Sequence, residues 1–155
     1  MTIPRSLCFI THNGDVLLMK RGENRRIFPG RYNGVGGHVE RDEDLHASVL
    51  REVQEETGLS VFNLRLRGIC HVDAGQEVGI MVFVFSAEAT TREVIVTSEG
   101  SLHWVPLVSA HNLPLVEDVP ILLSRMFGPA ASDTLFFAHT SYDAQDQLVM
   151  TFAPT

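Results

Sequence analysis

The chain has 155 residues, enough to bury the core of one domain. Hydrophobic residues make up 45% and charged residues 20%, a globular balance that argues against a disordered chain. The net charge of −7 argues against an extended nucleic-acid surface, which requires a basic patch, and the longest apolar run, residues 79–87, is too short to span a bilayer.

The cysteines and the N-terminus favour a cytoplasmic protein. Cys8 and Cys70 lie far apart without metal-ligand spacing, so we read them as reduced core thiols, with a disulfide as the alternative. The short apolar stretch after Arg5 is not followed by a small-residue cleavage site, which argues against secretion. Because no repeat or linker-like segment interrupts the chain, we expect a single domain over residues 1–155. The protein is expected to be a monomer or a homodimer.

The N-terminal part of the chain predicts a hairpin, a loop and a short strand. Segments 6–12 and 15–20 flank Asn13-Gly14, the strongest short-range hairpin signal. Residues 22–32 are predicted to be loop. Residues 33–40 are predicted to form one short strand interrupted by glycines, where the backbone approaches another group closely.

A helix is predicted over residues 44–57. Asp42, Glu43 and Asp44 are expected to supply an acidic first turn that suits the helix dipole, and Gly58 stands where a left-handed residue ends a helix. The apolar side of this helix is predicted to consist of Leu45, Val49, Leu50 and Val53.

The remaining elements mix strands with a second helix. Residues 77–87 are apolar on both faces, which indicates a central strand. Pro120 is predicted to open a helix that ends at Phe127. The other predicted strands are 62–73 and 102–105, followed by a closing hairpin of 135–142 and 148–152. The pattern predicts the α/β class, with a mixed sheet flanked by helices.

Three carboxylates lie on one face of the first predicted helix. Glu52, Glu55 and Glu56 stand at i, i+3 and i+4, so their side chains project from the same side. Like charges so placed repel each other by roughly a few tenths of a kcal/mol per pair. A hard divalent cation, which takes oxygen ligands, would offset this repulsion. The segment therefore predicts a metal site, with a solvated acidic face as the alternative.

The same segment carries the residues of a known motif. It fits the pattern G-x5-E-x7-R-E-U-x-E-E-x-G-U, where U is aliphatic, through Gly37, Glu43, Arg51, Glu52, Val53, Glu55, Glu56, Gly58 and Leu59. The chain thus resembles the Nudix hydrolases, which cleave nucleoside diphosphates linked to another group. This resemblance implies an α/β/α sandwich with a mixed sheet and a Mg²⁺ cofactor, with Mn²⁺ as the alternative. The motif, called the box below, spans 23 residues, 37–59, and identifies the chemistry better than the substrate.

The resemblance also implies roles for the box residues. Glu55 and Glu56 are expected to be metal ligands, joined by the main-chain carbonyl of Gly36. Glu52 is expected to be either a ligand or the general base. Arg51 is expected to orient the box carboxylates.

Further box positions are expected to support these ligands. Glu43 is expected to brace the loop, and Arg51 with Glu55 also forms an ordinary i,i+4 ion pair, which leaves a structural role open.

Many family members recruit one more carboxylate from a loop that precedes an aromatic residue. Glu99, five residues before Trp104, matches better than Glu93 or Glu88.

A looser resemblance concerns the substrate. Residues 30–37 resemble the MutT-like branch that hydrolyses oxidised purine triphosphates, in which the asparagine matching Asn33 hydrogen-bonds the base. Residues 113–118 resemble that branch as well, which implies that Glu117 and Asp118 read the base edge. The alternatives are a turn role for Asn33 and helix capping by Asp118.

The chain departs from that branch at three positions. Tyr32 replaces the usual tryptophan, Val116 stands where some members have an aromatic residue, and His38 replaces lysine. His38 is either a phosphate or metal contact or a surface residue.

Basic residues are concentrated just before the box. This stretch predicts either an electropositive rim for a polyphosphate or a solvated loop, and its cations are Lys20, Arg21, Arg25, Arg26 and Arg31.

Three functions remain open. The leading prediction is a Mg²⁺-dependent hydrolase that cleaves purine nucleoside triphosphates, including oxidised ones, to monophosphate and pyrophosphate. The alternatives are a Nudix hydrolase of ADP-ribose, nucleotide sugars or capped RNA, and a non-catalytic nucleotide-binding module. Because every box glutamate is present, the silent module is disfavoured.

Overall fold

The computed structural model describes residues 1–23 and 29–154. Nine strands and two α-helices are found in these residues. The strands are β1 (Thr2–His12), β2 (Asp15–Arg21), β3 (Tyr32–Asn33), β4 (Val35–His38), β5 (Val61–Val72), β6 (Gly79–Ala89), β7 (Gly100–Pro106), β8 (Phe136–Tyr142) and β9 (Leu148–Phe152). The helices are α1 (Leu45–Thr57) and α2 (Val119–Phe127), with a 3-10 helix over Leu107–Asn112 that was not predicted. The predicted loop 22–32 lies partly outside the described residues.

The strands form one mixed sheet. Its order is β3-β2-β1-β6-β5-β8-β9, with β4 paired to β1 and β7 paired to β2. The β1–β6 and β5–β8 pairs are parallel, and the other pairs are antiparallel. The prediction that the doubly apolar segment 77–87 forms a central strand is confirmed, because β6 lies in the middle of this order.

The predicted hairpins are both present. Asn13 and Gly14 adopt positive φ angles of 50° and 83°, which a tight turn between twisted strands requires. Strand β1 begins four residues earlier than predicted, at Thr2, because its first half pairs with β6 rather than with β2. At the other end of the chain, β8 and β9 pair antiparallel as predicted.

The predicted single strand 33–40 is two strands. Strand β3 pairs with β2, whereas β4 pairs with β1, so the chain changes partner at Gly34. A Cβ atom at Gly34 would lie 2.9 Å from the Cys8 carbonyl oxygen. The glycine therefore permits the close approach that splits the strand.

Helix α1 begins and ends with specific caps. The Oδ1 atom of Asp44 accepts a 2.8 Å hydrogen bond from the Ala47 N–H, so Asp44 is the N-cap. Gly58 has a φ of 77°, and its N–H donates to the Gln54 carbonyl at 2.9 Å. Because the helix begins at Leu45, the prediction of an acidic first turn is wrong: Asp42 and Glu43 precede the cap.

The buried side of α1 also differs from the prediction in one position. Leu50 is 37% exposed, whereas Ser48 is fully buried with Val49 and Val53. Residues 49 and 53 are one helical turn apart, and Leu50 is rotated away from their stripe by about 100°. The prediction that Leu50 belongs to the apolar side of α1 is therefore wrong, because its position on the helix faces solvent.

The sheet separates two hydrophobic clusters and gives the predicted α/β/α layers. One cluster packs beneath α1 and includes Cys8, Leu17, Val49, Val53 and Phe85. The other packs beneath α2 and includes Phe9, Leu18, Val119, Leu122 and Phe136. Cys8 and Cys70 are buried free thiols, in agreement with the reduced prediction. Of the described helices, neither is both long and apolar enough to cross a membrane.

Candidate active site

Two glycines of β4 let this strand approach its neighbours. A Cβ atom at Gly37 would lie 2.5 Å from Cδ of Glu52 and 2.6 Å from both of its carboxylate oxygens. A Cβ atom at Gly36 would collide with the main-chain carbonyl of Ser6 in β1. Strand β4 is therefore held between β1 and the carboxylate face of α1, and only glycine fits at these two positions.

Arg51 connects the box carboxylates. Its Nε and Nη2 atoms donate to the two carboxylate oxygens of Glu43 at 2.9 and 2.6 Å, a bidentate pair. Its Nη1 atom donates to Glu52 at 3.0 Å and to Glu55 at 3.2 Å, and Nη2 also reaches the main-chain oxygen of His38 at 3.2 Å. One guanidinium thus orients three box carboxylates and fixes the end of β4.

Glu43 connects the same arginine to the loop before α1. Its Oε1 atom accepts a 2.9 Å hydrogen bond from the Glu40 N–H. The hydrogen bond from Arg51, followed by that from Glu40, lowers the pKa of Glu43 to about 2. Glu43 is therefore ionised at neutral pH and holds the loop against Arg51.

Glu56 lies among other acidic groups. Burial raises its pKa to about 8, and the charges of Glu52 and Glu99 and a side-chain hydrogen bond with Glu99 act in the same direction. A hydrogen bond from the Gly36 main chain acts in the opposite direction. The structure therefore brings together the predicted ligand positions Gly36, Glu52, Glu56 and Glu99, although Glu99 is distant in sequence.

The donor set at this point fits a hard divalent cation. Burial also raises the pKa of Glu52, with Arg51 opposing and the charges of Glu55 and Glu99 adding to the effect. Repulsion among close carboxylates is what a cation would relieve, and all of these donors are oxygens. Within residues 1–23 and 29–154, no three acidic, histidine or cysteine side chains form a preformed cage. Mg²⁺ does not require one, because it keeps waters and takes substrate oxygens as ligands.

Glu55 is oriented differently from the other box glutamates. Its side chain is 59% exposed and its Oε2 atom accepts from Arg51. The predicted i,i+4 ion pair is present, but the shortest contact of Arg51 is with Glu43. Glu55 would have to leave this ion pair, or share its second oxygen, to bind a cation.

The pKa of Glu56 gives an expected dependence of stability on pH. In the folded, metal-free protein Glu56 keeps its proton up to about pH 8, whereas the unfolded chain releases it near its ordinary value of 4.5. Between these values the unfolded state binds fewer protons, so the free energy of unfolding should fall as pH rises. Thermal unfolding in a chelator across this range measures the slope. Replacing Glu56 by glutamine should flatten it, and an unchanged slope would assign the effect to other groups.

The predicted base-reading segments meet at one end of the sheet. The Tyr32 N–H donates to the Pro114 carbonyl at 3.0 Å, and the Val116 N–H donates to the Tyr32 carbonyl at 2.9 Å. These bonds join the segment that contains Asn33 to the segment that leads to Glu117 and Asp118.

The alternatives for Asn33 and Asp118 have different outcomes. Asn33 accepts a 2.8 Å hydrogen bond from the Gly34 N–H through its Oδ1 atom, which is the turn role. Asp118 makes no side-chain hydrogen bond to cap α2. Burial, followed by the charge of Glu117, raises the pKa of the Asp118 carboxyl. Asp118 is therefore a half-buried acid that is not used as a cap.

The basic residues before the box do not share one face. Lys20 and Arg21 are consecutive in β2, so their side chains point to opposite sides of the sheet. Lys20 Nζ lies 5.8 Å from the centre of the Tyr32 ring and 4.0 Å from a Glu23 oxygen. Arg21 is paired with Gly100, next to Glu99. In the sheet, Arg21 therefore lies beside the strand end that follows Glu99 of the acidic cluster.

Other members of the predicted basic rim and His38 have different positions. Arg31 donates to the Leu115 carbonyl at 3.2 Å, so it braces the base-reading segments. The side chain of His38 is exposed, and its main-chain oxygen is the group that contacts Arg51. Arg25 and Arg26 lie outside the described residues.

The contacts that hold the segment leading to Glu99 were not predicted from the sequence. The Ile95 N–H donates to the Thr57 carbonyl at 3.0 Å, and a Cβ atom at Gly58 would lie 2.7 Å from the Ile95 side chain. Arg92 donates to Asp15 at 2.7 Å and accepts from the Trp104 indole through its main-chain oxygen at 3.1 Å. In the sequence, Trp104 indicated Glu99 but not this anchoring.

Comparisons with known proteins agree with this architecture. The sequence model of the NUDIX domain matches residues 1–125. The chain belongs to the Nudix family. The Nudix hydrolase YvcI of Bacillus subtilis, which is uncharacterised, is 30% identical over 113 residues, covering 70% of this chain and 68% of that protein. The nucleoside triphosphatase NudI of Salmonella schwarzengrund is 30% identical over 100 residues, covering 58% of this chain and 71% of that protein.

Solved structures support the fold over the whole Nudix chain. A MutT protein from Bacillus halodurans superposes with a TM-score of 0.83 at 26% identity and covers 99% of both chains. A MutT Nudix hydrolase from Burkholderia pseudomallei superposes with a TM-score of 0.69 at 26% identity, covering 80% of this chain and 97% of that chain. The protein is a MutT-like Nudix pyrophosphohydrolase, and enzymes of this family generally need a divalent metal, commonly Mg²⁺.

Proposed function

We propose that this Nudix hydrolase uses Mg²⁺, or Mn²⁺ in its place, to cleave purine nucleoside triphosphates to monophosphate and pyrophosphate. Oxidised purine triphosphates are included in this substrate class. The observation that carries the proposal is the acidic cluster, in which Glu56 lies beside Glu52, Glu99 and the Gly36 main chain. The names of the relatives add support, because NudI is a nucleoside triphosphatase and the superposed structures are MutT proteins.

The residues divide into a metal-binding set and a proton-accepting group. Gly36, through its main-chain oxygen, and the carboxylates of Glu55, Glu56 and Glu99 would hold the cation. When bound, the cation neutralises phosphate oxygens and acidifies water. Glu52 is either a further ligand or the base that takes the proton of the attacking water.

Arg51 keeps the box carboxylates oriented toward the substrate. Its guanidinium contacts Glu43, Glu52 and Glu55 at once, so their positions depend on one another. Arg21, on the strand position beside Glu99, and His38, at the exposed end of β4, are proposed to contact the phosphates. Lys20 stands on the opposite face of β2 and is proposed to contact the substrate on the base side.

The base is proposed to lie near Asn33 and the start of α2. Asn33 has an amide N–H₂ that can donate while its oxygen is held by Gly34. Asp118 is half-buried and its carboxyl is not used as a cap, so it can accept from or, when protonated, donate to a base edge. Glu117 raises the pKa of that carboxyl and favours the protonated form.

A substrate panel tests the proposal. Purified protein should release pyrophosphate and monophosphate from purine triphosphates faster than it cleaves ADP-ribose, nucleotide sugars or capped RNA. Activity should require added Mg²⁺ or Mn²⁺ and disappear with a chelator. Products are identified by chromatography. Turnover of ADP-ribose alone, or activity that persists in the chelator, would contradict the proposal.

A further inference from the structure

The C-terminal hairpin β8–β9 lies outside the part of the chain that matches the NUDIX domain, which ends at residue 125. The hairpin extends the sheet beyond β5, and β8 pairs in parallel with that strand. Residues Phe136, Ala138 and Thr140 of β8 are buried and alternate with more exposed residues. Two of these three belong to the cluster beneath α2. The hairpin therefore adds a wall to the side of the sheet on which α2 begins.

The hydroxyl of Thr140 on this wall is buried without a hydrogen-bond partner in the part of the chain that the structure describes. Its side chain is only 3% exposed. Its hydroxyl makes no hydrogen bond within residues 1–23 and 29–154. Leaving a buried hydroxyl unpaired costs about 1–3 kcal/mol, so such a group in a native fold calls for an explanation. A valine would fill the same volume without that cost.

Tyr142 lies two residues further along β8 and on the same face. It is 36% exposed, so its ring stands at the rim of the wall. Burial and the charges of Glu117 and Asp118 raise the pKa of its hydroxyl. These two acids, which were predicted from sequence to read the base, therefore lie within electrostatic reach of the hairpin.

The position of Asp118 relative to this wall follows from its neighbours. Val119, the next residue, is buried in the same cluster as Cys70 and Ala138, which are directly paired across β5 and β8. The charge of Asp118 also contributes to the raised pKa of Cys70. Asp118 is thus within electrostatic reach of both Cys70 and Tyr142, and Thr140 lies between Ala138 and Tyr142 in β8.

We propose that Thr140 and Tyr142 form, with Asp118, the hydrogen-bonding wall that selects the base of the nucleotide. This inference rests on the proposed function and adds two specificity-determining residues to it. Each hydroxyl can donate and accept, and the carboxyl adds an acceptor or, when protonated, a donor. Such a set matches the polar edge of a purine, which alternates donors and acceptors. The partly buried side chains of Val72 and Met150, which pack against the same cluster, provide apolar contact for the ring.

The test uses Thr140→Val and Tyr142→Phe, each of which removes one hydroxyl with little change in shape. For each variant, kcat/KM is measured across a panel of purine and pyrimidine triphosphates with Mg²⁺. The ratio between the preferred purine and the other bases should fall about tenfold or more, because a site built to pair polar groups penalises a mismatch strongly. Thr140→Val should melt at the same or a higher temperature than the wild type, because the Thr140 hydroxyl has no hydrogen-bond partner among the described residues.

A matched control comes from the same hairpin. Thr151 of β9 pairs with His139, so its side chain is on the opposite face of the sheet from Thr140. Thr151→Val should leave the selectivity ratio unchanged. If Thr140→Val and Tyr142→Phe also leave the ratio unchanged, or if they lower turnover of all triphosphates equally, the inference is wrong.

A binding measurement separates this inference from the proposed function. Affinities for purine and pyrimidine nucleoside monophosphates are measured by calorimetry in a chelator, where no turnover occurs. The wild type should prefer one base, and both variants should lose that preference. If the wild type hydrolyses no triphosphate but the variants still lose base preference in binding, the proposed function fails and the wall stands. If triphosphates are hydrolysed but the variants keep the base preference, the proposed function stands and the inference about the wall is wrong.

Discussion

Glu56→Gln is expected to lower kcat/KM by about 10³-fold or more while leaving the protein folded. The substitution keeps the volume of the side chain and removes its negative charge. A cation that polarises a phosphoryl oxygen contributes several kcal/mol to the transition state, and each factor of ten corresponds to about 1.4 kcal/mol. The acidic cluster formed by Glu52, Glu56 and Glu99 is the proposed source of that cation's binding energy.

The folding of this variant is a separate part of the same prediction. Because burial beside two other acids keeps Glu56 protonated at neutral pH in the metal-free protein, the neutral glutamine should not destabilise that protein and should remove the free-energy cost of the protonation. Circular dichroism and thermal unfolding with and without Mg²⁺ check this point. The wild type should be stabilised by Mg²⁺, and the variant much less.

The control for Glu56→Gln is Glu77→Gln, at an exposed position in the β5–β6 connection. It removes the same charge far from the box in sequence and should keep wild-type turnover. Full activity of Glu56→Gln would refute its assignment as a metal ligand. An unfolded Glu56→Gln protein would contradict the stability prediction.

The sequence predicted the box helix and its chemistry because those signals are local. The left-handed Gly58 and the i, i+3, i+4 spacing of the glutamates depend on residues within one or two helical turns. The wrong prediction for Leu50 also came from a local signal. Leu50 was predicted to be buried because it is apolar, whereas its angle around the helix axis leaves it 37% exposed.

The parts of the site that come from distant segments could be predicted only in outline. The distance from Trp104 indicated Glu99, but the hydrogen bond between Glu99 and Glu56 also requires the path of the segment before β7, in which Arg92 pairs with Asp15 and the Ile95 N–H donates to the Thr57 carbonyl. No residue pattern near Glu99 encodes that anchoring. The sequence also placed Lys20 and Arg21 in one basic rim, and strand alternation separates them onto opposite faces.

The strands of the C-terminal hairpin could be predicted from the sequence, but the way they pair with the rest of the sheet could not. The sequence predicted β8 and β9 as a closing hairpin, and the structure confirms it. Which face of β8 borders α2 depends on the parallel register that pairs Cys70 with Ala138. A shift of one residue would reverse that face. The relation of Thr140 and Tyr142 to Asp118 therefore required the register, which the sequence does not carry.

Arg51→Lys is expected to lower kcat by about 10- to 100-fold, the usual effect of losing a residue that orients metal ligands. Lysine keeps the positive charge but cannot provide the planar fork that binds both oxygens of Glu43. A single ammonium also cannot reach Glu52, Glu55 and the His38 carbonyl at the same time as Glu43, so the carboxylates should lose their common orientation.

The measurement that identifies this role is the Mg²⁺ dependence of turnover. If Arg51 orients the ligands, Arg51→Lys should require a higher Mg²⁺ concentration for half-maximal activity, besides having a lower kcat. Arg41→Lys is the matched control, because Arg41 is an exposed residue of the loop that precedes α1. It should activate like the wild type. A normal Mg²⁺ curve and normal kcat for Arg51→Lys would mean that charge alone suffices and that the bidentate contact with Glu43 is only structural.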